Sequence, residues 1–430
     1  RTLGCRQRRD QGVAVNQPLY ALVDCNAFFV SCERVFQPAL RRRAVVVLSS
    51  NDGCVIARSP EAKELKIPMG EPAFRLKELI GSGKLVARSS NFALYSDMSS
   101  RVMAALAIDG HPQEVYSIDE CFLDVASEPD PMAWADATRA RVFRETGIPT
   151  SIGIAATKTL AKLTNEQGKK AGGGVCVLPL PGPQRIAFLA ARPVQSVWGI
   201  GGQTAPKLES AGIRTAGDLA GADPAQLRAK YGLGVLRTAR ELAGEVSLPI
   251  GEEPEAPQSI TVSRSFGSAT SDLATIRAAV AAFIENACAK ARHQGVDAAA
   301  LTIWLSPRGF QSADAAMTVS LEVPTALTAE LQSAASAIVL RLYRPELEYK
   351  KAGVTLLGLQ PVGARQQSFL DHLDRPRAER LQAAVDAINA GEGRRMVSSG
   401  ATLLSSAWQP TAQRMSPRYT TRWDELLEAH

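Results

Sequence analysis

Short apolar runs alternate with helical segments in the first part of the chain. The runs "LYALVD", "AVVVLSS", "CVIAR" and "TSIGIAAT" are apolar, partly β-branched and bounded by turn residues, which predicts buried strands. The segments "SDMSSRVMAALAI", "PMAWADATRARVFRETG" and "KTLAKLTNEQGKK" are predicted helices. In "SPEAKEL", Ser59 is a predicted N-cap and Pro60 the first helical residue. This alternation predicts an α/β or α+β domain up to about residue 180.

The pattern becomes helical and punctuated by glycine from residue 185 onwards. The segment "VWGIGGQTAPKLESAGIRTAGDLA" is typical of a helix, a tight Gly-Ile-Gly hairpin and a second helix, and "YGLGVLRTARELAG" is a candidate repeat of it. The acidic, proline-rich "GEEPEAP" predicts a linker. Strands and helices then alternate again to residue 362, which predicts a second, small α+β domain. Residues 363–430 are expected to form a tail with helices but little core.

An acidic pair interrupts one of the apolar runs. "EVYSIDECFLDV" is a predicted strand pair or hairpin that contains Asp119 and Glu120, and Asp24 ends the first strand. Adjacent carboxylates repel each other, but metal ions offset this repulsion. Carboxylates on neighbouring strands can hold two divalent ions about 4 Å apart, which bridge an attacking hydroxyl and a triphosphate. Alternatively, Asp24 caps the next helix and the pair lies in a solvated bend, and spacing alone does not decide.

Composition narrows the classes of function. The chain has 430 residues and a formal net charge of +6, which favours a polyanionic partner, nucleic acid first, although many basic proteins bind none. Its length predicts about two to four domains. Seven cysteines without a CxxC pair and four scattered histidines argue against a disulfide framework or zinc site and favour a reducing cytosol. No apolar run reaches the roughly 18 residues of a membrane span. Residues 1–17 are basic and are expected to lie outside the fold.

Three motifs together resemble the catalytic blocks of Y-family translesion DNA polymerases: "DCNAFFVSCE", "SIDECFLD" and "GIAATKTLAKLTN". The C-terminal "MSPRYTTRWDELL" resembles the tail of UmuC-type catalytic subunits of bacterial DNA polymerase V, RumB-like relatives included. The resemblance covers about residues 18–430 and implies a multidomain α+β fold, that of a right-hand polymerase. It implies error-prone, template-directed DNA synthesis past damaged bases, in the SOS response to DNA damage.

The same resemblance divides the chain into subdomains. They are a palm (18–28 and 96–184), small fingers (29–95), a helical thumb with a helix-hairpin-helix (185–250), a linker (251–257), an α/β little finger (258–362) and a C-terminal tail for partners and clamp (363–430).

The acidic residues acquire roles from the resemblance. Asp24, Asp119 and Glu120 fall on the family's metal ligands, and the backbone carbonyl of Cys25 falls on a position that also contacts a metal. These groups are expected to hold two Mg²⁺ ions, for which Mn²⁺ can substitute. Some relatives of this fold have lost the carboxylates and serve as scaffolds. Because this chain retains all three, the resemblance implies an enzyme.

Residues around the incoming nucleotide follow from the same motifs. Phe29 falls on the family's steric gate, where a flat side chain against C2′ leaves no room for a 2′-hydroxyl. The alternative for Phe28 and Phe29 is core packing, which we expect for Phe28, although its backbone amide is a candidate triphosphate donor. Cys54 and Ile56 match the roof over the nascent base pair. Short fingers and a slim roof predict tolerance of lesions and low fidelity.

Two lysines match the family's cationic contacts to the triphosphate. They are Lys63 in "SPEAKEL" and Lys162 in "TLAKLTN", although a surface lysine is more often simply solvated. Many relatives have a tyrosine and an arginine where this chain has Pro60 and Lys63, and a lysine cannot clamp a phosphate in the bidentate manner of an arginine. Arg58 is a candidate replacement.

Other residues are expected to hold DNA. The turn Gly199, Ile200 and Gly201, with Lys207 nearby, would present backbone amides to phosphates, unless it is an ordinary αα-hairpin. In the little finger, the resemblance places near DNA the basic residues Arg264, Lys350 and Lys351. Such contacts predict binding that weakens with salt.

The tail contains "RQQSFLD", which resembles a bacterial sliding-clamp peptide. Gln366, Phe369 and Leu370 would fill the clamp pocket, although Gln367 stands where leucine is commoner, and the alternative is a segment that leads into a helix. The resemblance also implies primer–template DNA, dNTP, a UmuD′-type dimer and a RecA filament as partners, in the bacterial cytoplasm at the nucleoid. Two rival functions are a palm-type nucleotide cyclase and a catalytically inert DNA-binding scaffold.

Overall fold

The computed structural model describes residues 18–178, 181–251, 257–309, 315–364, 371, 373–391 and 396–426. The chain folds into two compact units. Among these residues, one unit holds 18–47, 55–251 and 415–426, and the other holds 48–54 and those from 257 to 414. The predicted extension 1–17, and most of the predicted linker 251–257, lie outside the described residues.

Residues 18–251 contain eight strands and ten helices among those described. The strands are β1 (Tyr20–Cys25), β2 (Val45–Leu48), β3 (Val55–Arg58), β4 (Val86–Ser89), β5 (Gln113–Val115), β6 (Glu120–Asp124), β7 (Thr150–Ala155) and β8 (Val175–Val177). The helices are α1 (Phe28–Phe36), α2 (Pro60–Glu64), α3 (Lys77–Gly81), α4 (Phe92–Ala107), α5 (Pro131–Thr146), α6 (Lys158–Lys170), α7 (Pro183–Ala190), α8 (Ala205–Ser210), α9 (Ala216–Ala220) and α10 (Pro224–Ala243).

Strand β1 lies at the centre of a five-stranded sheet of order β5-β6-β1-β7-β8. It pairs antiparallel with both β6 and β7. Because both faces of β1 are covered, its residues from Tyr20 to Val23 are buried and apolar. The polar Asp24 appears only where the strand ends. A second sheet, of order β3-β2-β4, contains the predicted strands "AVVV" and "VIAR".

Helix α6 packs unusually close to β7. A Cβ atom added to Gly153 would lie 2.2 Å from the Asn165 backbone nitrogen and 2.3 Å from the Ala161 carbonyl oxygen, so any side chain would push the helix away. Thr157 begins the helix by accepting a hydrogen bond from the Leu160 amide. The glycine therefore sets the distance between α6 and the centre of the sheet.

The second unit is a four-stranded antiparallel sheet of order β11-β10-β12-β9 with helices packed against it. Its elements are β9 (Ser259–Thr270), α11 (Leu273–His293), β10 (Val296–Pro307), β11 (Ala315–Thr325), α12 (Thr328–Leu342), β12 (Tyr349–Pro361) and α13 (Arg375–Gly391). The buried side chains of α11 and α12 share one core with the sheet. This α+β unit extends beyond residue 362, where the sequence predicts the end of a small domain.

The expectation of a tail with little core is wrong for its last part. Helix α13 has no buried residue, but Trp408 packs edge-on against Phe283 at 5.4 Å between ring centroids, within the core of the second unit. In the first unit Tyr419 stacks on Phe36 at 4.8 Å. Isolated apolar residues in a polar segment have no periodicity, so the pattern could not reveal their burial.

The glycine turn in the helical region is present, with Gly199 at φ 86° before α8. The candidate repeat is not a second Gly-X-Gly hairpin. It lies within α10, which is interrupted at Gly232, φ 83°. None of the described helices is both long enough and apolar enough to cross a membrane.

Candidate active site

Three acidic residues lie where β1 ends and β6 begins. The two strands run antiparallel, and their register places Asp24 opposite Glu120. The Cys25 amide donates to the Asp119 carbonyl oxygen at 2.9 Å. The Cys25 side chain is buried, so only its backbone can face the site. The sheet therefore brings together the acidic residues that lie far apart in the sequence.

Each carboxylate has a separate partner. Lys169 Nζ lies 2.7 Å from Asp24 Oδ1, and Lys162 Nζ donates to Glu120 Oε2 at 2.7 Å. Both lysines lie on one face of α6, about two helical turns apart. The Ser117 hydroxyl donates to Asp119 Oδ1 at 2.7 Å. The cations of α6 thus offset the repulsion between neighbouring acids.

Burial raises the pKa of Asp24 to about 6. The nearby Lys169 opposes this rise, whereas the negative charges of Glu120 and Asp119 add to it. The charged form of Asp24 therefore costs free energy in the folded protein, and a cation held by this carboxylate would favour that form.

We expect Asp24→Asn to raise the thermal midpoint of unfolding at pH 8. Because the folded-state pKa of about 6 lies above the usual 3.8, the stability that protonation of Asp24 provides is complete below pH 3.8 and is lost as pH rises through 6. The substitution removes the cost of charging Asp24, so it should raise the free energy of unfolding by up to about 2 kcal/mol at pH 8 and by less at pH 5. Differential scanning fluorimetry at both pH values measures the difference.

The control for this measurement is Asp136→Asn, which alters an exposed carboxylate on α5. Its midpoint should differ from that of the unmodified chain equally at pH 5 and pH 8. If Asp24→Asn is less stable at pH 8 than at pH 5 relative to the unmodified chain, the interpretation of Asp24 is wrong.

The donor set suits a hard divalent cation. Mg²⁺ prefers carboxylate and carbonyl oxygens and needs few protein ligands, since it keeps several waters. Within the described parts of the chain, no three acidic, cysteine or histidine side chains converge as in a formed metal site. Lys162 and Lys169 form ion pairs with Glu120 and Asp24. Lys169 is 37% exposed and can swing into solvent. The assignment of Asp24, Asp119 and Glu120 as ligands stays a prediction.

Lys162 lies among aromatic rings that the sequence did not reveal. Its Nζ is 4.8 Å from the ring centroid of Tyr116 and 5.3 Å from that of Trp198, and the Trp198 indole donates to the Tyr116 hydroxyl at 3.3 Å. Such contacts hold the ammonium group at a fixed place. Trp198 has no local signal for this role. Lys169 could have been found, because helical spacing puts it on the same face as Lys162.

A sharp turn after β1 leads into two phenylalanines at the start of α1. Ala27 has a left-handed conformation, φ 45°, which is uncommon for a residue with a Cβ atom and lets the strand pass directly into α1. Phe28 is buried in the core, as expected. Phe29 is half-buried and stacks on Tyr95, with 4.6 Å between centroids and 15° between ring planes, while Phe92 meets it edge-on at 5.8 Å. The sequence motifs did not identify Tyr95 and Phe92 as neighbours of Phe29.

The remaining candidates lie in residues 54–63. Lys63 is exposed on α2. Arg58 donates to the Ile67 carbonyl oxygen, so its guanidinium already has a structural partner. Ile56 is half-buried in β3. Cys54 belongs to the second unit, where its sulfur is 3.4 Å from the Ser49 hydroxyl. No described contact ties these side chains to Glu120, as one ties Lys162.

The predicted DNA-holding turn is anchored in the core. Ile200 is buried, and its amide donates to the Val197 carbonyl oxygen at 3.0 Å. The Gly201 carbonyl oxygen accepts from Thr204 at 2.9 Å, and Lys207 is exposed on α8.

The basic residues of the second unit lie on adjacent strands. The register pairs Ala352 of β12 with Arg264 of β9, whose side chain is exposed. Lys350 Nζ donates to the Phe266 carbonyl oxygen at 3.3 Å, and Lys351 lies 4.9 Å from the Trp304 ring centroid. The three cations thus lie on the neighbouring strands β9 and β12. The clamp residues Gln366, Phe369 and Leu370 lie outside the described residues.

Comparisons with known proteins place the chain in a family. The impB/mucB/samB family matches residues 23–166, its C-terminal domain matches 257–369, and a domain of unknown function matches 379–429. The UmuC protein of Salmonella typhimurium is 38% identical over 95% of this chain and 99% of its own length. SamB of the same species is 36% identical over 96% and 99%. A DNA polymerase IV of Halorhodospira halophila is 31% identical over 81% and 97%.

A solved structure supports the fold. A Y-family DNA polymerase chimera of Dbh and Dpo4 matches with a TM-score of 0.63 and 20% identity, over 79% of this chain and 99% of that one. The predicted multidomain α+β polymerase fold is confirmed. The chain therefore belongs to the impB/mucB/samB family, the UmuC-type group of Y-family DNA polymerases.

Proposed function

We propose that this chain is an error-prone translesion DNA polymerase, which transfers a deoxynucleoside monophosphate from dNTP to a primer 3′-hydroxyl opposite a template. The observation that carries the proposal is the meeting of Asp24 and Glu120 across β1 and β6, with Lys162 2.7 Å from Glu120. Relatives named UmuC and DNA polymerase IV support the activity. The damage-induced SOS response is the proposed setting.

Y-family polymerases need divalent metal ions, and Mg²⁺ is the proposed ion here, with Mn²⁺ as a substitute. Asp24, Asp119, Glu120 and the Cys25 carbonyl oxygen would hold two such ions. When bound, these ions lower the pKa of the attacking hydroxyl and neutralise charge on the leaving pyrophosphate. The chain shields this site from water only in part, because Asp24, Asp119 and Glu120 are half-buried.

The two lysines of α6 have distinct proposed tasks. Lys162 is fixed between aromatic rings, so its ammonium can turn from Glu120 to a phosphate oxygen with little movement of its stem. Lys169 neutralises Asp24 while no other cation is there. Lys63, exposed on α2, is a second proposed phosphate contact, with Arg58 in a supporting position and the Phe28 amide as a donor.

Phe29 is the proposed steric gate. A ring that stacks rigidly on Tyr95 cannot move aside for a 2′-hydroxyl, which would exclude ribonucleotides. Cys54 and Ile56 are proposed to form a slim roof over the base pair. A slim roof makes few geometric checks, so distorted pairs would be tolerated.

The proposed function also includes the division into subdomains that the resemblance implies. Palm, fingers, thumb, little finger and tail would have the boundaries given above. The Gly199–Gly201 turn with Lys207, and the cations Arg264, Lys350 and Lys351, would bind DNA phosphates without reading sequence. Partners would be a UmuD′-type dimer, a RecA filament and a sliding clamp, in the bacterial cytoplasm.

We expect replacement of Gln366, Phe369 and Leu370 by alanine to weaken sliding-clamp binding by about tenfold or more, because buried anchors carry most of the affinity of such peptides. Surface plasmon resonance with the full chain measures it. Gln367→Ala is the matched control, since this residue departs from the clamp peptide pattern. Equal affinity of the triple variant and the unmodified chain would refute the assignment of these residues as a sliding-clamp peptide.

Primer extension tests the proposed function as a whole. Damaged and undamaged templates are compared with and without the accessory dimer and RecA filament. Extension past the lesion supports the proposal. An inert scaffold would bind primer–template without extending it, and a cyclase would consume a nucleoside triphosphate without a primer. Neither rival is favoured by the family or by the fold.

A further inference from the structure

A buried polar network joins the end of the chain to the residues behind Phe29. The Ser416 hydroxyl donates to Glu33 Oε1 at 2.9 Å, and the Tyr95 hydroxyl donates to the same oxygen at 2.7 Å. The Tyr95 ring in turn stacks on the ring of Phe29, with 4.6 Å between the two ring centroids. Two hydrogen bonds and one ring contact thus separate Ser416 from Phe29.

The network lies wholly inside the first unit. Glu33 and Tyr95 are 0% exposed and Ser416 is 5% exposed. A carboxyl group without water depends on its protein partners, and burial raises the pKa of Glu33. Its second oxygen, Oε2, has no hydrogen-bond partner among the described residues. The hydroxyls of Ser416 and Tyr95 therefore carry the polar contacts that orient this side chain, and loss of either leaves the carboxyl group freer to rotate.

Asn91 attaches the same segment to the helix that carries Tyr95. Its side-chain amide donates to the carbonyl oxygens of Ser416 at 3.0 Å and Pro417 at 3.1 Å. Its side-chain oxygen accepts from the Leu94 amide at 3.3 Å and so caps the start of α4. One residue thus begins the helix and binds the tail.

Tyr419 attaches the segment to the helix that carries Phe29. Its ring stacks on Phe36 with 10° between ring planes, and its hydroxyl accepts from Gln37 Nε2 at 2.7 Å. The segment Met415–Tyr419 is therefore held against both α1 and α4, the two helices that supply the stacked pair.

We infer that the segment Met415–Tyr419 positions the sugar-selecting ring, with Ser416 acting through Glu33 and Tyr95 on Phe29. The inference rests on the proposed function, since Phe29 selects a sugar only if the chain binds dNTP. It deepens that function by assigning a task to the end of a domain of unknown function, residues 379–429. A steric gate works only while its ring stays in place, and a supporting shell keeps a site within about 0.5 Å of its working geometry.

Ser416→Ala tests the inference by nucleotide kinetics of the full chain. The ratio of kcat/KM for dNTP over that for the matching rNTP should fall about fivefold, as for loss of one hydrogen bond, through a lower KM for rNTP. The value of kcat/KM for dNTP should stay unchanged. Ser416→Thr keeps the hydroxyl and should restore the ratio. The exposed Thr421, two residues beyond this segment, supplies the control, Thr421→Ala, which should leave the ratio unchanged.

Measuring Ser416→Ala within the Phe29→Ala variant distinguishes positioning of the Phe29 ring from a general loss of rigidity in the protein. In Phe29→Ala, the change Ser416→Ala should have no further effect on the sugar ratio, because the ring that it positions is gone. An equal effect in both backgrounds overturns the inference. If Phe29→Ala loses sugar selection while Ser416→Ala keeps it, the inference fails and the proposed polymerase stands.

A spectroscopic measurement does not depend on activity. With 4-fluorophenylalanine incorporated at position 29 alone, the ¹⁹F resonance should shift or broaden in Ser416→Ala and stay unchanged in Thr421→Ala. An identical resonance in Ser416→Ala overturns the inference. If the unmodified chain extends no primer at all, the proposed function fails and so does sugar selection by Phe29, whereas a shifted resonance would still show the contact itself.

Discussion

Asp119→Asn is expected to abolish Mg²⁺-dependent primer extension, with a loss of about a thousandfold or more, while primer–template affinity changes little. An amide cannot supply the negative charge that a divalent ion needs. The fold should persist, because the amide oxygen can still accept from Ser117, and the backbone bond from Cys25 to Asp119 is untouched. Single-turnover extension on a gel measures the rate, and fluorescence anisotropy measures DNA binding.

Asp124→Asn is the matched control for this variant. Asp124 lies on the same strand, β6, and its carboxylate accepts from the Ala126 amide at 3.0 Å, which is a structural contact. This variant should keep its extension rate. Retained extension in Asp119→Asn, or equal loss in both variants, would remove Asp119 from the metal ligands.

Phe29→Ala is expected to admit ribonucleotides, with a loss of discrimination between dNTP and rNTP of about a hundredfold. The ring is held face-on by Tyr95 and edge-on by Phe92, so its removal opens a space that the neighbours do not fill at once. Competitive incorporation of dNTP and rNTP opposite an undamaged template measures the ratio.

Two comparison variants make this result specific. Phe29→Tyr keeps the flat ring and should keep sugar selection. Phe74→Ala removes an exposed ring elsewhere in the first unit and should change nothing. Unchanged selection in Phe29→Ala would exclude Phe29 as the gate, even if the polymerase activity itself were demonstrated.

The strands and helices of the first unit were largely predictable because their signals are local. The β-branched run of β2, the Ser59 cap of α2 and the 3.6-residue spacing of α6 each lie within a few consecutive residues. The acidic pair of "SIDECFLD" was also visible as a polar interruption of an apolar strand. Predictions from such short-range patterns agree with the folded structure, because these patterns determine the local backbone conformation directly.

The neighbours of the candidate site were predictable only in part. The resemblance identified Asp24, Asp119 and Glu120, and antiparallel pairing of β1 with β6 brings two of these side by side. It did not show Lys169 beside Asp24, although helical spacing from Lys162 could have. Tyr116 and Trp198 around Lys162 come from separate segments, and no spacing rule connects them.

The sequence by itself determined the family, the elements of the two units and the acidic residues of the candidate site, because motifs and periodicity are written along the chain. Only the tertiary structure decided which side chains meet. Glu33 and Ser416 are 383 residues apart, yet they share a hydrogen bond in the core behind Phe29. Such contacts form when separate elements bury polar groups together, and burial depends on the whole packed unit rather than on neighbouring residues.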